Sequence, residues 1–207
     1  MTENQLQILT EAKNIVTDIF KHKVNPRFVF HNLEHTRQVA TAAEEIGEYY
    51  QLGDDDQFIL LISAWFHDTG FITGRTEGHE KESIKVASDF LQRQDTDEEI
   101  MLRVSSCIQS TQMPHKPVTL AEQIICDADL YHLGTNKFCI MTERVRNELQ
   151  TYFNKELSRE DWGERNIDFL QSHKYFTGYC QQKLEPVKQG WIKKLQNTRN
   201  SDIKDNQ

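Results

Sequence analysis

The stretch FHNLEHTRQVATAAEEIGEYYQLGDDDQFILLISAWFHD, residues 30–68, decides how this chain folds. Val39, Ala43, Ile46 and Tyr50 recur at helical spacing, so about Asn32 to Tyr50 is expected to form one amphipathic helix. Gly53 closes it. Asp54, Asp55 and Asp56 then open the next helix, where carboxylates suit the positive end of the helix dipole. That helix carries the run Phe58 to Phe66, apolar throughout except for Ser63, and it reads as buried. The run is far short of the roughly 20 residues needed to span a membrane.

The helical period extends outward in both directions. Thr2 and Gln5 form a capping-box pattern, Leu6, Leu9, Val16, Ile19 and Phe20 supply one apolar stripe, and Asn25-Pro26 breaks it. Downstream, Gly70, Gly74 and Gly78 punctuate a loop. Helices are then expected at about 79–92, 97–111, 119–133, 137–155, 158–171 and 187–197. Thr119 with Glu122 and Ser158 with Asp161 cap two of them, and Met113 to Pro117 is a firm break. Neither a repeat nor a linker composition appears. The expectation is an all-α single domain over residues 1–207, with its main part at about 28–135 and C-terminal helices at about 137–197.

Composition narrows the function. Lys plus Arg number 24 against 32 for Asp plus Glu, a net charge of −8 that disfavours nucleic acid as a partner. The start, MTENQLQIL, has neither a basic segment nor an apolar one, so no signal peptide, no membrane and a cytoplasmic location are expected. Cys107, Cys126, Cys139 and Cys180 lack CxxC spacing and read as small buried hydrophobes. Metal chemistry must therefore come from histidine and carboxylate.

Three features can supply it. His31 and His35 sit in FHNLEHTRQV, His67-Asp68 ends the most apolar helix, and Asp127-Ala128-Asp129 lies within QIICDADLYHLG. A carboxylate in an apolar helix is costly unless something positive pairs with it. Asp68 and Asp129, with histidines nearby, invite a divalent cation as the shared partner.

The order H…HD…D resembles the HD-domain superfamily of metal-dependent phosphohydrolases, over roughly residues 28–135. The resemblance implies that His35, His67, Asp68 and Asp129 bind metal, with Asp129 preferred to Asp127 because ADLYHLG is similar to the family's closing motif. FHN before LEH resembles the YHN-x-x-H signature of the cyclic nucleotide phosphodiesterases in this superfamily, with Phe30 in place of Tyr. By that resemblance His31 is a general acid. The purine-recognising glutamine region of those enzymes has no counterpart that we locate. The stretches GHEKES, IQSTQMPH and CDADLYHLG look like a smaller bacterial group of HD phosphohydrolases of unassigned substrate.

Two imidazoles and two carboxylates suit Mn²⁺, Fe²⁺, Zn²⁺, Co²⁺ or Ni²⁺, and the histidines weigh against an all-oxygen Mg²⁺ cage. Such a set leaves positions for a water that the metal activates as nucleophile, with Asp68 serving catalysis as well as binding. Some superfamily members use extra histidines in this interval for a second metal. His79 and His115 are expected either there or on a phosphate, with Arg75 and Lys116 as cationic substrate-binding groups and Glu80 beside His79 in support. The implied reaction is hydrolysis of a small phosphorylated molecule, with a nucleotide expected. The alternatives are a cyclic nucleotide phosphodiesterase, an HD-fold di-iron oxygenase that needs His79 and His115, and a non-catalytic nucleotide-binding module. The long helices after residue 137 offer a homodimer face.

Overall fold

A computed structural model describes residues 1–154 and 156–205. Among the described residues every regular element is helical: α1 (Glu3–His22), α2 (Leu33–Tyr49), α3 (Asp54–Phe66), α4 (His79–Arg93), α5 (Glu98–Ser110), α6 (Leu120–Asp129), α7 (Phe138–Phe153), α8 (Arg159–Ser172), α9 (Gly178–Lys183) and α10 (Glu185–Asp205). Short 3-10 turns cover Thr69–Thr73 and Tyr131–Gly134. The chain divides into two compact units, Met1–Leu130 and the residues from Tyr131 onward.

In the first unit α3 is the axis. Every residue from Phe58 to Phe66 is buried, because α1, α2, α4, α5 and α6 surround it. A helix that is apolar on all sides is stable only in such a position. Burying a side chain the size of Phe58 or Ile62 contributes about 1.5–3 kcal/mol. Ser63, the polar exception, donates to the Ile59 carbonyl at 2.7 Å and to the Val104 carbonyl of α5 at 3.3 Å. The acidic first turn has one partner for each carboxylate. The Met1 amine meets Asp54 at 2.6 Å, the Gln5 amide donates to Asp55 at 2.6 Å, and Arg103 pairs with Asp56. The three acids therefore clasp α1 and α5 to the start of α3 as well as complementing its dipole.

The capping box at Thr2 and Gln5 opens α1, and Thr119 with Glu122 opens α6. Asn32 caps α2 by accepting from the backbone N–H groups of Glu34 and His35, which fixes the first turn that carries His35. The expected helix at 119–133 stops at Asp129. The chain tightens into the turn Tyr131–Gly134, where Gly134 packs so closely on Leu184 that a Cβ would collide with it.

In the second unit the expected helix at 187–197 starts earlier and runs further, as α10. Pro186 lies in its first turn, where a missing N–H costs little. Towards its end Arg199 pairs with Glu164 of α8 at 2.7 Å. The short α9 is capped by Thr177, which accepts from the Cys180 N–H. Lys188 is buried, with Nζ donating to the His173 carbonyl at 2.6 Å and meeting Glu185 at 2.9 Å. Cys107 and Cys126 are buried, and burial pushes both thiols up to about 12. Cys139 departs from the buried expectation and lies exposed, beside the exposed Ile140 on the outer face of α7.

Candidate metal centre

The first unit gathers three chain segments at one end of α3. Asn32 starts α2 so that His35 falls on its first turn and faces inward, 2% exposed. Phe66 ends α3, and the chain turns at once through His67 and Asp68 into the turn Thr69–Thr73. Asp129 is the last residue of α6. Residues two apart on a helix point to nearly opposite sides, so Asp127 and Asp129 cannot share one direction. Asp129 Oδ1 lies 3.0 Å from His35 Nε2 and 3.6 Å from His67 Nε2, whereas Asp127 is wholly buried.

The ligand atoms of His35, His67 and Asp129 all lie within 4.8 Å of one another. Asp68 joins them, its Oδ2 being 3.2 Å from His67 Nε2 and 3.5 Å from His35 Nε2. His79, at the start of α4, brings Nε2 to 3.4 Å from Asp68 Oδ1. Glu80 follows it, buried, with Oε2 lacking a hydrogen bond and 3.6 Å from His79 Nδ1.

The chemistry of these atoms calls for a cation. The Ala64 carbonyl can only accept, so His67 Nδ1, 2.9 Å away, carries the proton and Nε2 presents a lone pair. His79 is set in the same way by the Thr76 carbonyl at 2.7 Å. Lone pairs from imidazoles therefore point at carboxylate oxygens, and buried Asp68 Oδ2 is left without a hydrogen bond. A histidine whose second nitrogen donates to a backbone carbonyl is the usual arrangement of a metal ligand. The residues present thus fit a divalent cation.

Without one, protons must fill the same role. Burial opposes charge on His67, yet Asp68 and Asp129 hold its pKa well above the ordinary imidazole value. Burial likewise opposes charge on Asp68 and Asp129, but the facing histidines keep both carboxyls below the usual carboxylate range. His79 is raised too, its partial burial outweighed by Asp68. In the metal-free protein the His67 contribution to stability is complete below about pH 6.5 and disappears as pH rises through its raised pKa. The contribution of the two aspartates is present above their ordinary range and is lost as pH falls through their lowered values. Metal must displace the His67 and His79 protons. Its apparent affinity, measured calorimetrically between about pH 6 and pH 8.5, should therefore rise with pH and be accompanied by proton release. A flat profile would contradict this ligand set.

Gly70 seats His79. Its N–H donates to Ser83 Oγ at 2.8 Å, and an added Cβ would collide with the His79 carbonyl and come within 2.9 Å of the Ser83 nitrogen. Gly70→Ala should push the first turn of α4 away from Asp68 and destabilise the fold by about 1–3 kcal/mol, read by chemical denaturation. Wild-type stability in that variant would mean that α4 has room to move.

Of the remaining candidates, His31 lies beside the cluster. His31 stacks on Phe71, with centroids 4.3 Å apart, and its ring lies 6.1 Å from that of His35 and 6.4 Å from that of His79. His115 Nε2 meets the Thr111 carbonyl at 3.0 Å. Arg75 is exposed on the loop before α4. Lys116 lines a groove of about 870 Å³ with Leu102, Ser105, Gln109 and Met113, and none of His35, His67, Asp68 and Asp129 lines it. Sequence reasoning passed over Phe71 and the Gly70–Ser83 contact. An aromatic residue three positions after Asp68 was the one available signal.

The HD domain family matches residues 32–134, which span His35, His67, Asp68 and Asp129. The chain belongs to the HD-domain superfamily, an all-α fold whose members generally carry out metal-dependent hydrolase chemistry. It is similar in fold to the crystal structure of the Lin1889 protein from Listeria innocua, with a TM-score of 0.63 and 19% identity over 95% of this chain and 96% of that one. No curated protein matches the chain. Among the described residues no helix is long and apolar enough to cross a membrane.

Proposed function

We propose that this protein is a metal-dependent phosphohydrolase that cleaves a phosphoester of a small molecule, with a nucleotide as the substrate class. The observation that carries this reading is the partial opening of the site. His35, His67 and Asp68 are buried, while the Asp129 and His79 side chains keep 19% and 17% of their surface exposed. A purely structural metal site is closed, whereas a site that must admit a substrate keeps an accessible side.

His35, His67, Asp68 and Asp129 would hold the ion. When bound, a divalent cation of this kind acidifies water and polarises a phosphoryl oxygen. The protein's own residues do the rest. His31, beside but outside the buried ligand group, donates a proton to the departing alkoxide oxygen. His79 offers Nε2 beside Asp68, where it would meet a second cation when neutral or donate to a phosphate oxygen when protonated. Asp68, between His67 and His79, fixes the direction of both rings.

The di-iron alternative also requires His115, whose Nε2 is engaged by the Thr111 carbonyl. The phosphodiester alternative differs in leaving group and shares the His31 role. The test is a phosphate-release screen over nucleoside mono-, di- and triphosphates and cyclic nucleotides with Mn²⁺ added. Turnover of at least one nucleotide is expected. Inactivity across the panel, with the metal bound, would overturn the nucleotide assignment.

A further inference from the structure

The groove of about 870 Å³ joins α5 to the segment that leads into α6. Leu102 and Ser106 of α5 line it together with Met113, Lys116 and Val118. Its apolar members face water: Leu102 is 64% exposed, Met113 56% and Val118 84%. Leu120, which follows at the start of α6, is 38% exposed. Among the described residues nine large hydrophobic side chains are exposed, and these four fall within residues 102–120. Exposed apolar side chains scattered singly need no explanation, whereas a cluster of them along a groove marks an interaction site. An adjoining recess of about 280 Å³ shares Leu102 and Ser106 and adds Glu99, nearly one helical turn before Leu102. Four charged residues line the two recesses, and two are already satisfied. Arg103 pairs with Asp56. Glu122 is turned inward, where it accepts from Ser106 and from the backbone N–H groups of Val118 and Thr119. Glu99 and Lys116 are exposed, and neither has an ion-pair partner among the described residues.

We propose that this groove is a two-fold interface between two copies of the chain. The order of the lining residues carries the argument. Along α5 and its continuation come Glu99, Leu102, Ser106, Gln109, Met113 and Lys116, with an acid at one end and a base at the other. A two-fold axis through the middle reverses that order in the second copy. Glu99 then meets Lys116 of the partner subunit, Leu102 meets Met113 of the partner subunit, and Ser106 and Gln109 lie near the axis. Each contact occurs twice, as a self-complementary interface requires. A different protein would have to supply acid, apolar and basic groups in this same spacing, whereas a second copy supplies them by symmetry. The pairing leaves the metal centre clear, since none of His35, His67, Asp68 and Asp129 lines the groove.

The test is sedimentation equilibrium of the full-length protein at micromolar concentrations, with circular dichroism as the folding control. Wild type should be a reversible dimer. Glu99→Lys and Lys116→Glu should each weaken dimerisation by at least about 10-fold, because each sets like charges together at both symmetric contacts. The variant carrying both substitutions restores opposite charges at both contacts and should dimerise to within a few-fold of wild type. Leu102→Lys, at an exposed position that the fold does not need, should be monomeric. Ile140→Lys, which changes the exposed apolar residue of α7, should dimerise as wild type does. The charge exchange is the decisive arm, because a variant that merely misfolds is not rescued by a second substitution. A monomeric wild type, a doubly exchanged variant no tighter than the single ones, an undisturbed dimer in Leu102→Lys, or a dimer lost in Ile140→Lys would each overturn the proposal.

Discussion

Asp68→Ala should lose metal binding and phosphohydrolase activity together while the helical content of the protein is retained. Asp68 meets His67, His35 and His79 at 3.2, 3.5 and 3.4 Å, so it is the carboxylate that every histidine of the cluster faces. Outer-sphere partners alone change metal affinity by about 10–100-fold, and removal of a direct ligand should exceed that. Asp129→Ala should behave in the same way, because its Oδ1 sits between His35 and His67. Asp127→Ala, which removes a wholly buried carboxyl from the same helix, should instead weaken binding within the outer-sphere range. Metal content measured on the purified variants, with circular dichroism as the folding control, separates the three. Metal affinity near wild type in Asp68→Ala would overturn the site, and a reversed order of Asp127 and Asp129 would mean that the wrong face of α6 has been assigned.

The second large effect separates two histidines one helical turn apart. His35→Ala should lose metal. His31→Ala should keep its metal and lose about 10²–10⁴-fold in kcat, the usual contribution of a general acid. The deficit should shrink for a nitrophenyl ester, whose oxygen departs without needing a proton. Equal losses on nitrophenyl and alkyl esters would remove the acid role, and loss of metal in both variants would make His31 itself a ligand. Unchanged kinetics would leave it a turn residue beside Asn32.

The fold was legible where one helix had no polar face. Phe58 to Phe66 can be stable only when surrounded, and the structure surrounds it. The caps at Thr2, Thr119 and Ser158 were legible too, because each is a local hydrogen bond between neighbours in sequence. The end of α6 at Asp129 was not, since the helical spacing runs on through Leu133 while the chain tightens into the 3-10 turn Tyr131–Gly134. The His35, His67-Asp68 and Asp129 cluster could be anticipated because carboxylates in apolar stretches demand a partner and because the order H…HD…D resembles the HD-domain superfamily. The seating of His79 on Gly70 and the stacking of His31 on Phe71 could not. Both are contacts across a loop, and neither glycine nor phenylalanine signals chemistry on its own.

The most direct test of metal-dependent hydrolysis at this cluster is phosphate release by protein stripped with a chelator and then titrated with Mn²⁺ on a nucleotide that the screen identifies. Release should be absent from the stripped protein and should rise in step with the metal bound. It should stay absent in Asp129→Ala at every Mn²⁺ concentration that saturates wild type. Undiminished release from the stripped protein, or full recovery in Asp129→Ala, would contradict it.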